Sequence, residues 1–138
     1  MVEKIKESNI AMIYFAYQDF SQNIDLERFH ITKTQHRILF LVSHLTKPTI
    51  KKVLKIMGIS KQGFIKPYKD LEERNLLETR PSQDDPRIKD LYLTDEGQAM
   101  ITELNRDQSK KINHYLEKHD GDWQKALEDM VTHYLQSF

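Results

Sequence analysis

Hydrophobic positions recur along this chain with a helical period for most of its length, and with a strand period once. Residues 3–22 read as a helix that is apolar almost all round its middle, through Ile10, Met12, Ile13, Tyr14, Phe15 and Tyr17. A helix of that kind needs cover on more than one side, from its own domain or from a second subunit. Asn23 to Phe29 breaks the pattern. Thr32 then opens a second helix, with Gln35 completing a capping box and Ile38, Leu39, Leu41, Val42 and Leu45 forming the core stripe. Thr46-Lys47-Pro48 ends it. Thr49 caps a short helix over Ile50–Met57 that buries Ile50, Val53, Leu54 and Met57, and Gly58 stops it. Ser60 caps a fourth helix reaching about Arg74. Two helices joined by Met57-Gly58-Ile59-Ser60 have the spacing of a helix-turn-helix.

The period then changes. Leu76–Arg80 and Ile88–Leu93 flank a polar turn, Ser82-Gln83-Asp84-Asp85-Pro86-Arg87, and Leu91 and Leu93 share one face while Asp90 and Tyr92 share the other. That alternation is a β-hairpin. Asp84-Asp85 serves it as a turn former. Thr94 caps a long helix through about His119, with Asp95 and Glu96 suitably acidic in its first turn. After Asp120-Gly121-Asp122 a last helix spans about Trp123 to Gln136. The expected fold is mainly α with a small β-hairpin wing. It is a winged helix-turn-helix core over 32–97 within a single domain of 138 residues. Helices over 1–31 and 98–138 flank the core and suit a dimer-forming layer.

Charge sharpens this picture. The protein is neutral, with 21 basic and 21 acidic residues, yet between Arg28 and Lys69 lie ten lysines and arginines and no aspartate or glutamate. From Asp90 onward there are ten acids and five bases. A polarised neutral protein points to a polyanionic partner for one face. Phosphate contacts need Lys or Arg free of competing carboxylates, which Lys51, Lys52, Lys55, Lys61 and Lys66 satisfy. Lys51 and Lys52 also sit in the first turn of their helix, where the dipole disfavours cations by ~0.3–1 kcal/mol each. Gln62 has the chemistry to read adenine bidentately, and Lys61 to contact guanine or phosphate.

Several linked motifs resemble one family. The run Thr49 to Ser60, the run Asp70 to Arg80, and Asp84-Asp85-Pro86-Arg87-Ile88 leading into Leu93-Thr94-Asp95-Glu96-Gly97 are similar to the helix-turn-helix, the wing and the "LT-x-x-G" helix start of the MarR family of bacterial transcriptional regulators. The resemblance implies a homodimer whose terminal helices form the interface, double-stranded DNA as partner, and a palindromic operator. The fourth helix would enter the major groove and the wing tip the minor groove. Ser60, Lys61, Gln62 and Lys66 fall at the DNA-facing positions, Arg87 at the wing arginine, and Asp85 at the aspartate that steadies it. The DNA-contacting set is then Thr49, Lys51, Lys52, Ser60, Lys61, Gln62, Lys66, Arg80, Asp85 and Arg87. The chain departs from the family pattern at Gly63 and Pro67 in the recognition helix and at Pro86 in the wing. Proline inside a helix costs ~3 kcal/mol when nothing compensates, and it presses on the carbonyl four residues earlier. That residue is Gly63, so a bent helix is expected, bearing on DNA through residues 60–66.

Other chemistries fare worse. With no cysteine, disulfides, thiol nucleophiles and Cys-ligated zinc are excluded. The histidine pairs His30/His36 and His114/His119 lack the three- or four-residue spacing that places ligands on one helical face, so no metal or cofactor is expected. There is no Gly-rich phosphate loop, nucleophile elbow or apolar carboxylate pair, hence no enzyme. Ile10–Tyr17, the longest apolar run, is far short of a membrane span. Glu3 and Glu7 spoil a signal-peptide reading, which leaves a cytoplasmic protein. Tyr14, Tyr17, Phe20, His36 and Phe40 are candidates for a small-molecule effector pocket, against core packing for each taken singly. The expected function is a homodimeric, effector-modulated repressor. The competing reading is a winged-helix protein-interaction module that has lost strong DNA binding.

Overall fold

The computed structural model describes residues 8–22 and 24–136. Their elements are helices α1 (Asn9–Gln22), α2 (Leu26–Phe29), α3 (Lys33–His44), α4 (Ile50–Met57) and α5 (Lys61–Glu73), strands β1 (Leu77–Pro81) and β2 (Lys89–Leu93), and helices α6 (Asp95–Lys118) and α7 (Trp123–Gln136). The mainly helical class with one antiparallel hairpin is borne out. The expected helix start at residue 3 lies outside the described residues. Within them, Ser8 accepts the Ala11 amide on its hydroxyl at 3.2 Å, and α1 begins after it. One expectation is corrected. The break over Asn23–Phe29 contains the one-turn helix α2, where the Asp25 carboxylate accepts the Arg28 amide at 3.2 Å and His30 closes the turn with φ 54°.

The chain forms two compact units, one of residues 1–24 and 104–138 and one of residues 25–103. Helix α6 contributes its first turns to the second unit and its remainder to the first.

In the second unit, helix boundaries follow side-chain chemistry within four residues. The Thr32 hydroxyl accepts the Gln35 amide at 3.1 Å while the Gln35 side-chain oxygen accepts the Thr32 amide at 3.0 Å, a complete capping box. Thr49 accepts from Lys52 N and Ser60 from Gly63 N, each at 3.1 Å. Gly58 ends α4 in the left-handed region with φ 65°, which glycine adopts without a side-chain penalty. Ile38, Leu39, Val53, Phe64, Leu71, Leu77, Leu91 and Ile101 are buried, and α3 packs on α4, α5 and β2. Beyond its cap, Gln35 donates to the Asp70 carboxylate at 2.7 Å and to the Pro67 carbonyl at 3.3 Å, tying α3 to α5. Arg74 donates to the carbonyls of Phe29 and His30, both at 2.9 Å, so α5 ends against the end of α2.

The hairpin pairs Leu77 with Leu93, Thr79 with Leu91 and Arg80 with Asp90. Leu77 and Leu91 turn inward and are buried, whereas Arg80 and Tyr92 face out. The Leu91 amide donates to Pro48 O at 2.9 Å and Thr49 bridges to Asp90, which fastens the wing to the segment that starts α4. After β2, buried Thr94 donates its hydroxyl to Asn75 O at 2.6 Å, accepts the Gly97 amide at 3.0 Å, and donates its own amide to Leu76 O at 3.3 Å. A Cβ on Gly97 would stand 2.0 Å from Leu76 O. That approach is the physical reason for glycine in the Leu93-Thr94-Asp95-Glu96-Gly97 motif.

In the first unit α1 packs on α7, burying Met12 and Ala16, while Phe20, Ile112, Leu116 and Leu127 surround buried Tyr115, Ala126 and Met130. Lys111 meets buried Asp19 at 2.7 Å. Ile10, Ile13, Tyr14 and Tyr17, at i, i+3, i+4 and i+7, form an exposed apolar stripe along α1.

Candidate nucleic-acid interface

The basic segment becomes one surface once α4 and α5 form. On α4, Lys51, Lys52 and Lys55 are exposed, and their spacing puts Lys51 and Lys55 on one face. On α5, Lys61, Gln62, Lys66 and Lys69 are exposed, opposite the buried Phe64, Tyr68 and Leu71. Among the described residues, Lys51, Lys55, Lys61, Lys66 and Lys69 have no ion-pair or hydrogen-bond partner for their ammonium groups. Lys52 donates to Lys47 O at 3.2 Å and meets no carboxylate. Of the ten basic residues in the acid-free segment, Arg28 alone forms an ion pair among the described residues, with Glu103 at 3.0 Å.

Ser60 and Thr49 stand at the N-termini of α5 and α4, their hydroxyls engaged as caps. The wing tip carries Arg87, whose side chain is 90% exposed and whose guanidinium reaches both Asp85 carboxylate oxygens at 3.1 Å. The Arg87 amide also donates to Asp85 at 3.0 Å. Hydrogen bonds from the Arg87 side chain and backbone hold the Asp85 carboxyl below its ordinary value, so the pair presents an ordered cation at the hairpin's end.

Arg80 is placed differently from the other candidates. It lies on the outer face of β1, paired with Glu78 at 2.8 Å and stacked over the Tyr92 ring at 4.5 Å. Its charge is already partnered. The register that puts residues 78, 80 and 92 on one face causes this.

Two residues on the exposed face of α5 stand outside the DNA-contacting set expected from the sequence. Ile65 is 38% exposed, and Lys69, counted only as part of the basic run, extends the cationic row. The signal was available: Ile65 follows Lys61 by four and Lys69 follows Gln62 by seven. An exposed isoleucine beside Gln62 suits apolar contact with a thymine methyl group. Helix α5 runs through Pro67 without interruption, with the Pro67 carbonyl engaged by Gln35.

Of the aromatic set, Tyr14, Tyr17 and Phe20 belong to the first unit; His36 and Phe40 belong to the second. Tyr14 and Tyr17 are exposed, and Phe20 packs on the Tyr115 cluster. His36 is buried, its Nε2 has no hydrogen-bond partner among the described residues, and burial followed by the neighbouring Arg37 charge pushes its imidazole pKa down. Elsewhere in the first unit, Asp129 gathers Lys118 at 2.8 Å, His119 at 2.9 Å and His133 at 3.1 Å. No group of three or more His, Asp or Glu side chains among the described residues is placed to hold a metal ion. No helix among them is long and apolar enough to cross a membrane.

Comparison with known proteins agrees with this geometry. Residues 31–88, which hold α3 through the wing turn, match the MarR family profile. The HTH-type transcriptional regulator PetP of Rhodobacter capsulatus is 26% identical over 105 residues, covering 75% of this chain. The match spans 63% of PetP, less than two thirds of that relative's length. In structure, apo MarR from E. coli superposes with TM-score 0.67 at 18% identity, over 81% of this chain and 84% of MarR. YusO from Bacillus subtilis superposes at 0.58 with 21% identity, over 83% and 80% of the two chains. Residues 31–88, from α3 through the wing turn, are thus similar to the MarR family, and the fold is that of the winged helix-turn-helix structures it superposes on.

Proposed function

We propose that this chain is a sequence-specific DNA-binding repressor that works as a homodimer in the cytoplasm and is modulated by a small-molecule effector. The observation that carries the reading is the row Lys51, Lys55, Lys61 and Lys66, unpartnered among the described residues, on two helices joined by a Gly58 turn. Ammonium groups without carboxylate partners are free to neutralise phosphates, and Gln62 beside them offers both a donor and an acceptor to a base edge. The Asp85–Arg87 pair supplies a second contact from the wing. The Ile10, Ile13, Tyr14 and Tyr17 stripe supports a second copy as the cover for α1. A two-fold dimer would bind a palindrome with half-sites ~10 bp apart. The effector reading is supported within the second unit by buried His36, whose Nε2 has no hydrogen-bond partner among the described residues and whose ring lies 6.3 Å from that of Phe40.

Fluorescence anisotropy on duplex from the protein's own upstream region tests this. With ~4–5 phosphate contacts per subunit, affinity falls ~10⁴–10⁵-fold between 50 and 200 mM salt. Lys61→Glu with Lys66→Glu abolishes binding while the dimer survives in sedimentation equilibrium. Unchanged binding by that double variant, or a salt-independent affinity, refutes the assignment. The protein-interaction alternative would give a stable dimer with no affinity for duplex.

A further inference from the structure

We propose that the recognition helix reads one base through its backbone, with the Gly63 carbonyl accepting a hydrogen bond from the exocyclic amine of adenine or cytosine. The inference rests on the DNA-binding reading above. In α5, residue 67 should donate its amide to the carbonyl of residue 63, but Pro67 has no N–H to give. The Gly63 carbonyl is therefore left without its helical donor, and the proline ring of the next turn crowds it.

Nothing covers that oxygen from its own residue. Gly63 is exposed and has no side chain, and its position flanks Gln62 and Lys66 on the solvent face rather than the buried Phe64, Tyr68 and Leu71. Glycine is not demanded by space. A Cβ there would meet only the Ser60 hydroxyl, at 3.4 Å, which is ordinary contact. Both residues work against helix stability, and together they leave one acceptor without its helical donor, on an exposed residue flanking Gln62 and Lys66. In the major groove such an acceptor matches adenine N6 or cytosine N4, and it rejects the guanine and thymine carbonyls at the same level. A second consequence favours order at this point: Gln35 holds the Pro67 carbonyl from α3, so the helix is anchored one turn beyond the exposed oxygen.

The test is a double-mutant cycle on duplexes selected by the wild-type protein from a random-sequence library. Adenine is replaced by purine, or cytosine by 2-pyrimidinone, at each position in turn, deleting only the amine. Wild type loses about 5- to 30-fold in affinity at one position per half-site besides any adenine that Gln62 reads. Pro67→Ala restores the helical hydrogen bond, folds at least as stably by thermal circular dichroism, and becomes insensitive to amine deletion at that position alone. Equal sensitivity in wild type and Pro67→Ala, or no sensitive position in wild type, overturns the proposal while DNA binding stands. Failure of wild type to select any duplex overturns the proposal and the reading beneath it. A uniform loss for Pro67→Ala at all positions assigns the proline to helix shape and overturns it too.

Discussion

Gly97→Ala is the sharpest test of how the wing is joined to α6. By intrinsic propensity the change should help, since alanine is favoured over glycine inside a helix by ~1 kcal/mol. The structure predicts the opposite sign. The new methyl carbon would lie 2.0 Å from Leu76 O and 3.0 Å from Leu76 C, both backbone atoms. Ordinary contact begins near 3.4 Å, so Leu76 or the first turn of α6 must retreat by more than an ångström. Leu76 is 5% exposed, and its carbonyl accepts the Thr94 amide at 3.3 Å, so retreat breaks a backbone bond and disturbs a buried side chain. Overpacking costs ~1–3 kcal/mol and the lost hydrogen bond ~1 kcal/mol. Against a helix gain of ~1 kcal/mol, the net loss is about 1–3 kcal/mol. Urea unfolding followed by circular dichroism, at one fixed protein concentration, measures it as a lowered midpoint with unchanged slope. A variant as stable as wild type, or more so, refutes the account of this motif.

Gly58→Ala acts through conformation alone, because φ is 65° and nothing lies within 4 Å of the added carbon. It should cost about 1 kcal/mol in the same urea assay, at the low end of the range for Gly97→Ala. At Asp129 burial would raise the carboxyl, but hydrogen bonds from Lys118 and His119 and the charges of Lys118 and His133 outweigh it and hold the group at about 2, against an ordinary 3.8. A depressed carboxyl contributes stability above its unfolded value, and this is lost as pH falls from about 4 to about 2. The contribution is ~1–2 kcal/mol once solvent screening is allowed for. Asp129→Asn should therefore be less stable than wild type at pH 6, with the gap shrinking to a small fraction as pH falls to 2, read by chemical denaturation at each pH.

What could be read from the sequence divides by range. The Thr32–Gln35 box, the Thr49 and Ser60 caps and the Gly58 stop all depend on partners at most four residues away, so residue type and spacing were sufficient. The hairpin was legible because its alternation of Leu91 and Leu93 with Asp90 and Tyr92 is itself local. Helix α2 was not: four residues carry no period, and its one cue, Asp25 three before Arg28, is too common to stand alone. Gln35 illustrates the boundary. Its capping oxygen could be foreseen, but its amide contacts with Pro67 and Asp70, more than thirty residues away, depend on how α3 packs against α5.

Charge obeys the same division, with a consequence for the proposed interface. A stretch without acids guarantees only that no partner comes from within; carboxylates can arrive from elsewhere in the chain, as Glu103 does for Arg28. Arg80 meets the same fate from closer by, because strand geometry sets Glu78 on its face. The acid-free count alone would therefore treat Arg28 and Lys61 alike. Among the described residues Arg28 is paired, whereas Lys51, Lys55, Lys61, Lys66 and Lys69 on α4 and α5 keep ammonium groups without a partner. A lysine row kept only for solubility gains nothing from gathering on two turn-linked helices with every carboxylate out of reach. That residual pattern, rather than the raw count of basic residues, is the argument for a polyanion on this face.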